Sequence, residues 1–303
     1  MAAKKLLLIY NPHSGKGEFP ARLSDVADRF TKAGLEVTVR PTQGKKDAYN
    51  TIISRAKDFD CVCCSGGDGM VSEAVGAIMN LKKRPVFGYI PSGTTNDFAS
   101  TFNIPRDAIM AADVITFGVP RDIDAGYFGG TCFAYVAAFG LFTDVTYATN
   151  QDFKNIFGHA AYMIEGAMRL GSIISHKCEI DIDGEAIAGD FIFGMASNTL
   201  SVGGFKMPSE TNIQLDDGLF EVMLVKRPRR LADLHKIALS LLTQGVESNA
   251  LILRQAKKMR VVSRKPLDWT LDGEFGGTTT DITIENKKQA FEIMVPLPEI
   301  TIV

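Results

Sequence analysis

Over the first 120 or so residues, short apolar runs alternate with stretches of helical spacing. KLLLIY (5–10), LEVTVR (35–40), FDCVCC (59–64) and PVFGYI (85–90) predict strands. Between them lie helical patterns over 20–33 and 45–57, and then VSEAVGAIMNLKK, with Val71, Ala74, Val75 and Ile78 on one face. This order predicts an α/β domain with a largely parallel sheet. Ligands of such sheets bind beyond the carboxyl ends of the strands. The loops NPHSGKG, SGGDG and PSGTTND fall at those ends.

Further along, the period shortens to two. KCEIDIDGE, GDFIFGMASN, LFEVMLV, MRVVSR, LDWTLDGE, DITIEN and AFEIMV alternate polar and apolar positions, which predicts antiparallel strands with one solvated face. The Gly-Gly pair in DAGYFGGTCF predicts a hairpin. Two helical patterns interrupt this region. One covers 152–171, with Phe153, Ile156, Phe157, Ala160, Met163, Ile164, Ala167 and Met168 at helical spacing; the other covers 230–256. The expected organisation is an α/β nucleotide-binding domain over 1–124 and a β-rich, sandwich-like domain over 125–303. The active site is expected in the cleft between them.

Composition narrows the function classes. The chain has 303 residues, 46% hydrophobic and 22% charged, with net charge -2. That length supplies ample core, and the near-neutral balance speaks against nucleic acid as a partner. Cys61, Cys63, Cys64, Cys132 and Cys178 show no metal-ligand spacing, and three of them sit in an apolar run. This fits a reducing cytoplasm better than a disulfide framework. No apolar run approaches the roughly 20 residues of a membrane span, so a soluble protein is expected. His13, His159, His176 and His235 have no ligand spacing.

The glycine-rich loops do not match the common nucleotide fingerprints. A Walker A motif at NPHSGKG needs glycine at position 10 and Ser/Thr at 17, where the chain has Tyr10 and Gly17. A dinucleotide fingerprint fails at Pro20 in one register and Ser72 in the other, and Arg40 ends the second strand where an acidic residue belongs. The loops still suit phosphate, because glycines let backbone N–H groups approach anionic oxygens and a following helix N-terminus adds a favourable dipole. Lys16 supplies a point charge, and Ser14, Ser65, Thr94 and Thr95 supply hydroxyls.

Asp68, in the middle of SGGDG, would repel phosphate unless a cation lay between them. Mg²⁺ is typically held by one or two carboxylates plus substrate phosphates. Asp97 closes the next loop, Asp124 opens DAGYF, and LDGEF adds Asp272 and Glu274. Each aspartate also has an ordinary reading: Asp97 as a helix N-cap, Asp124 as a turn residue, and Asp272 as part of an Asp-Gly hairpin. If LDGE lies at a strand end, Asp272 and Glu274, two residues apart, point to the same face.

In this order, NPHSGKG, SGGDGMVSEAV, IPSGTTNDFA, DAGYF, DDGLFEV and LDGE resemble the soluble bacterial diacylglycerol kinase and lipid kinase family. Sphingosine and ceramide kinases share its catalytic-domain pattern. The resemblance spans nearly the whole chain; GGDG alone is shared with NAD kinases and phosphofructokinases. It implies an ATP site from Asn11, Pro12, His13, Ser14, Gly15 and Lys16, with Thr42, Gly66, Gly67, Asp68, Gly69, Met70, Val71, Ser72 and Thr94. It implies that Asp68, Asp97, Asp124 and Asp272 hold Mg–ATP through ordered water, with Glu274 as general base. A second, structural Mg²⁺ is implied at Gln214 and Leu219, through backbone carbonyls, and at the Asp217 carboxylate. The implied reaction is phosphorylation of diacylglycerol at a membrane. The amphipathic 152–171 pattern and the basic KRPRRLADLHK are candidates for lipid contact, and a homodimer is implied. Met70 and Ser72 depart from the family pattern, which has threonine and asparagine there. Other lipid alcohols, NAD as acceptor, a non-catalytic nucleotide-binding regulator and a β-rich interaction protein are the alternatives. PSGTTNDFA speaks against NAD, and the retained Asp272 and Glu274 speak against a pure binder.

Overall fold

The computed structural model describes residues 4–94, 96–140, 174–199, 201–202, 205–206, 214–228, 233 and 250–297. The chain divides into two compact units. One is Met1–Ile123 together with Gln289–Val303; the other is Asp124–Lys288.

In the first unit β1 (Lys4–Tyr10), β2 (Leu35–Pro41), β3 (Cys61–Gly66) and β4 (Val86–Pro91) alternate with α1 (Phe19–Lys32), α2 (Asp47–Arg55) and α3 (Asp68–Met79). Two further helices follow, α4 (Asp97–Thr101) and α5 (Ala108–Phe117). β1 pairs in parallel with β2 and with β3, and β3 pairs in parallel with β4. Leu6, Leu7, Leu8, Ile9, Val62, Cys63, Cys64, Phe87 and Tyr89 are all fully buried. Strands covered on both faces have no polar side to alternate with, which is why these segments appear in sequence as uninterrupted apolar runs. Burial pushes the Cys61 thiol up to about 12 and raises Cys63 and Cys64 as well, so these cysteines serve as small apolar side chains.

The second unit is built from strands. β5 (Val119–Phe128) and β6 (Thr131–Phe133) form the hairpin expected at Gly129-Gly130, where both glycines have positive φ. Next come β7 (Val136–Gly140), β8 (His176–Ile182), β9 (Glu185–Ser197), and the short pair β10 (Ser201–Val202) and β11 (Phe205–Lys206). The unit continues with β12 (Phe220–Lys226), β13 (Leu251–Ala256), β14 (Lys258–Leu271) and β15 (Glu274–Val295). The ladders β8–β9, β7–β9, β9–β12, β12–β13, β7–β14, β8–β14 and β14–β15 are antiparallel. The sandwich-like expectation implies two sheets. Instead, β7 and β8 lie along successive halves of the long strands β9 and β14, so these ladders form one continuous path. The core contains Phe128, Phe133, Phe139, Phe191, Phe220 and Trp269, and the Trp269 ring centre lies 4.9 Å from that of Phe139.

Three local expectations change. α3 starts at Asp68 instead of Val71, so the aspartate is the first helical residue. Leu251–Ala256, read as the end of a helix, is strand β13, held by antiparallel pairing to β12. The rest of that pattern, 230–249, lies outside the described residues except for Asp233, as do the 152–171 pattern and most of KRPRRLADLHK. The chain's last segment, assigned by sequence to the β-rich domain, belongs to the first unit. There Ile293 of β15 pairs in parallel with Phe87, and the Phe291 and Phe87 rings meet edge to face.

Candidate functional site

Three loops leave the carboxyl ends of β1, β3 and β4 and interlock. The Asn11 N–H donates to the Ser65 carbonyl at 2.9 Å. The Ser92 and Gly93 N–H groups donate to the Gly66 carbonyl at 2.9 and 3.1 Å. The Ser65 and Ser92 hydroxyls are 3.2 Å apart. A Cβ on Gly93 would lie 2.5 Å from Gly67 Cα, and one on Gly15, whose φ is +59°, would lie 2.2 Å from the Ser92 carbonyl oxygen. The loops therefore touch backbone to backbone at separations that only glycine allows.

Sequence reasoning passed over two residues that lock these loops. The buried Tyr89 hydroxyl donates to the Gly66 carbonyl at 2.9 Å, and Asn96 Oδ1 lies 3.2 Å from the same hydroxyl. Asn96 has φ +56°; its Nδ2 donates to the Gly93 carbonyl at 2.7 Å and its Oδ1 accepts the Gly93 N–H at 3.0 Å. Asparagine is one of the few side chains that adopt a left-handed backbone readily, and its place just before a helix was the available signal.

Around this interlock the predicted residues fall as follows. Ser14 and Val71 are buried, and Asn11, Pro12, Thr42, Gly67, Met70 and Ser72 are half-buried. His13, Gly15, Lys16, Gly69 and Thr94 are exposed, and Thr95 lies outside the described residues. Thr42 is tied to the β1 end by its N–H, which donates to the Tyr10 carbonyl at 2.8 Å. Met70 packs against Gly66, where an added Cβ would stand 2.6 Å from Met70 Cβ. A helix N-terminus and several mutually fixed backbone turns can hold a chain of phosphates.

Asp68 has partners of its own. Its Oδ1 accepts the Phe98 N–H at 3.2 Å and its Oδ2 the Asp97 N–H at 3.4 Å. The carboxylate thus satisfies donors at the start of α4 that have no partner inside the helix. Burial pushes the Asp68 carboxyl up from its ordinary value, and the Phe98 and Asp97 N–H groups counter that shift. Asp97 is the first residue of α4, with Asn96 at the cap position instead.

In the second unit Asp124 is wholly buried within β5, not in a turn. Its Oδ2 accepts the Gly218 N–H at 2.6 Å, and its own N–H donates to the Leu215 carbonyl at 2.8 Å. It therefore fastens the turn carrying Gln214, Asp217 and Leu219, in which Asp217 Oδ1 accepts the Leu219 N–H at 2.8 Å. Next to this turn Glu221, on β12, is buried; its Oε1 accepts from Gln255 at 3.1 Å and its Oε2 has no partner. Burial pushes the Glu221 carboxyl up to about 7; Gln255 opposes the shift, and the nearby Asp217 and Asp124 charges add to it.

Asp272 and Gly273, with φ +50° and +84°, form a two-residue hairpin turn closed by the Leu271–Glu274 pair. The expectation that Asp272 and Glu274 share a face fails here, because strand alternation does not hold across a turn. Asp272 is buried and accepts the Ala134, Tyr135 and Val136 N–H groups at 2.7, 2.9 and 3.0 Å, whereas Glu274 is exposed. Among the described residues no three histidine, cysteine or carboxylate side chains converge as a metal cage. A cation at either position would need carbonyl or phosphate oxygens as well, as Mg²⁺ commonly does.

The model of the diacylglycerol kinase catalytic domain matches residues 5–128. The chain is 35% identical to a diacylglycerol kinase of Bacillus subtilis (strain 168), with 90% of this chain and 91% of that protein covered. The chain belongs to the diacylglycerol kinase family. A second relative, a diacylglycerol kinase of Staphylococcus carnosus (strain TM300), is 33% identical over 97% of this chain and 95% of its own. The fold matches the crystal structure of a diacylglycerol kinase from Bacillus anthracis str. Sterne with TM-score 0.75, at 21% identity, covering 97% of this chain and 98% of that one. Another structure from the same organism gives TM-score 0.83 at 23% identity, with coverage of 97% and 98%. Within this lipid kinase family, the catalytic-domain match ends at Phe128, so Asp272 and Glu274 lie beyond it.

Proposed function

We propose that this lipid kinase transfers the γ-phosphoryl group of ATP to the primary hydroxyl of diacylglycerol, giving phosphatidate. The observation that carries the reading is the backbone interlock of the three strand-end loops, Gly15 against Ser92 and Gly67 against Gly93. It fixes N–H groups and the α3 N-terminus in advance, so they need no reorganisation as charge spreads over the phosphoryl oxygens. Asn11 to Lys16, Thr42, Gly66 to Ser72 and Thr94 form the nucleotide site in this reading.

The acceptor oxygen forms a bond to the γ-phosphorus as the bond from that phosphorus to the departing ADP oxygen breaks. Glu274 takes the hydroxyl proton; its exposure leaves it accessible to a lipid headgroup. A bound Mg²⁺ would supply charge neutralisation on the phosphoryl oxygens. Asp68 and Asp97 would hold it, with Asp124 and Asp272 orienting its water. A structural Mg²⁺ would sit at the Gln214 and Leu219 carbonyls and the Asp217 carboxylate, where the Asp124 and Asp217 charges already act on the neighbouring Glu221. No helix among the described residues is long and apolar enough to cross a membrane. In this reading the acceptor is reached by peripheral contact, from the cytoplasm at the inner membrane face. A homodimer belongs to the same reading, and light scattering checks it.

The test is transfer of labelled γ-phosphate from ATP with Mg²⁺ to diacylglycerol, other lipid alcohols and NAD in mixed micelles. Labelled phosphatidate, lost in Glu274→Gln while ATP affinity holds, is the expected result. Product from a different acceptor alone would replace the substrate. Equal turnover by Glu274→Gln would remove that residue as the base.

A further inference from the structure

Helix α2 begins without a cap of its own. Its N-cap residue, Lys46, has a left-handed backbone with φ +64° and makes no side-chain capping bond. A lysine side chain has no acceptor to offer, so the first-turn N–H groups of α2 need one from elsewhere. Glu73 on α3 provides it: Oε1 accepts the Lys46 N–H at 2.8 Å and Oε2 the Tyr49 N–H at 3.5 Å. A carboxylate there also complements the positive end of the helix.

The segment held in this way leads directly back to Thr42. Asp47 Oδ2 accepts the Gln43 N–H at 2.8 Å, and the Thr42 N–H donates to the Tyr10 carbonyl at 2.8 Å. Residues 42–47 are therefore fixed at one end to the β1 loop and at the other to α3. The same α3 opens with Asp68 in the glycine loop. Just past its far end α3 is linked to α2 a second time, through a side chain only, where Asn80 Nδ2 donates to the Tyr49 hydroxyl at 3.3 Å.

We infer that Glu73 is a positioning residue for the nucleotide: it ties the Thr42 segment to the helix that carries the phosphate-facing loop. The inference rests on the nucleotide reading above, in which both segments face one ATP molecule. The experiment measures ATP affinity by calorimetry, KM for ATP, KM for diacylglycerol, kcat and Tm for wild type, Glu73→Ala, Glu73→Gln and Asn80→Ala. Loss of a charge-assisted bond pair is expected to raise KM for ATP about tenfold in Glu73→Ala, with kcat and the acceptor KM within about twofold. Glu73→Gln keeps an oxygen for the Lys46 N–H and is expected to recover most of the affinity. Asn80→Ala is expected to lower Tm and leave KM for ATP unchanged. Unchanged ATP affinity in Glu73→Ala, or an equal KM shift in Asn80→Ala, overturns the role. A wild type that binds no ATP overturns the nucleotide reading and this role together, whereas wild-type binding with an indifferent Glu73→Ala overturns this role alone.

Discussion

Asp68 of the first unit and Asp272 of the second unit are alike in sequence, each an aspartate followed by glycine. In the fold they differ in how closely the carboxylate is held. Asp68 accepts two N–H groups at 3.2 and 3.4 Å and is half-buried beside loops that meet backbone to backbone. Asp272 accepts three, at 2.7 to 3.0 Å, and is buried at a turn. Asp68 is held by longer bonds at a half-buried loop, and Asp272 by shorter bonds in a buried turn. A shared residue type in a shared motif is therefore compatible with quite different surroundings.

Four substitutions break or sharpen this contrast. The largest effect is expected for Gly93→Ala, because the new methyl would press on Gly67 Cα with no flexible side chain to yield. A displacement near 1 Å in an active site is worth about 100-fold in rate. Phosphoryl transfer should fall by that order while circular dichroism stays native; retained activity would mean that the loops separate at little cost. Next is Asp272→Ala, which leaves three N–H groups without their carboxylate. At about 1–3 kcal/mol for an unsatisfied buried group, the urea midpoint should drop clearly, and by more than in Asp68→Ala. Equal shifts would erase the distinction between the two aspartates.

The smallest effect concerns pH. Glu221 has a folded pKa of about 7 against an ordinary 4.5, so across that window the folded state holds a proton that the unfolded state has released. Stability linked to this group is full below about 4.5 and declines as pH rises through about 7. In chelator-treated protein, Glu221→Gln should raise Tm at pH 8 by a few degrees and change it little at pH 4.5. Parallel Tm curves for the two proteins would exclude a buried, protonated Glu221.

Sequence made the framework of the first unit legible, because strands covered on both faces announce themselves as apolar runs and the loops between them as glycine clusters. It misplaced the start of α3, since Asp68 and Gly69 resemble loop residues, though the helix begins with them. It misjudged Leu251–Ala256, where pairing with β12 overrides a composition suited to a helix. The work done by Asp124 and Asp272 was hidden for a different reason. Their partners Gly218 and Ala134 lie 94 and 138 residues away, and no local pattern records such distances. Tyr89, Asn96 and Glu73 were missed because each acts on backbone, which leaves no pairwise signature among side chains.

The return of Ile293 to β4 has a consequence for the order of events during synthesis. As the chain emerges from the ribosome, β1 to β4 appear early, but the strand that pairs with the open side of β4 follows only after the second unit. For the time taken to translate the intervening residues, Val86–Pro91 presents unpaired N–H and C=O groups, the kind of edge that recruits other chains. A fragment ending at Ile123 would keep that edge permanently. The first unit is thus begun before the second is made and finished after it.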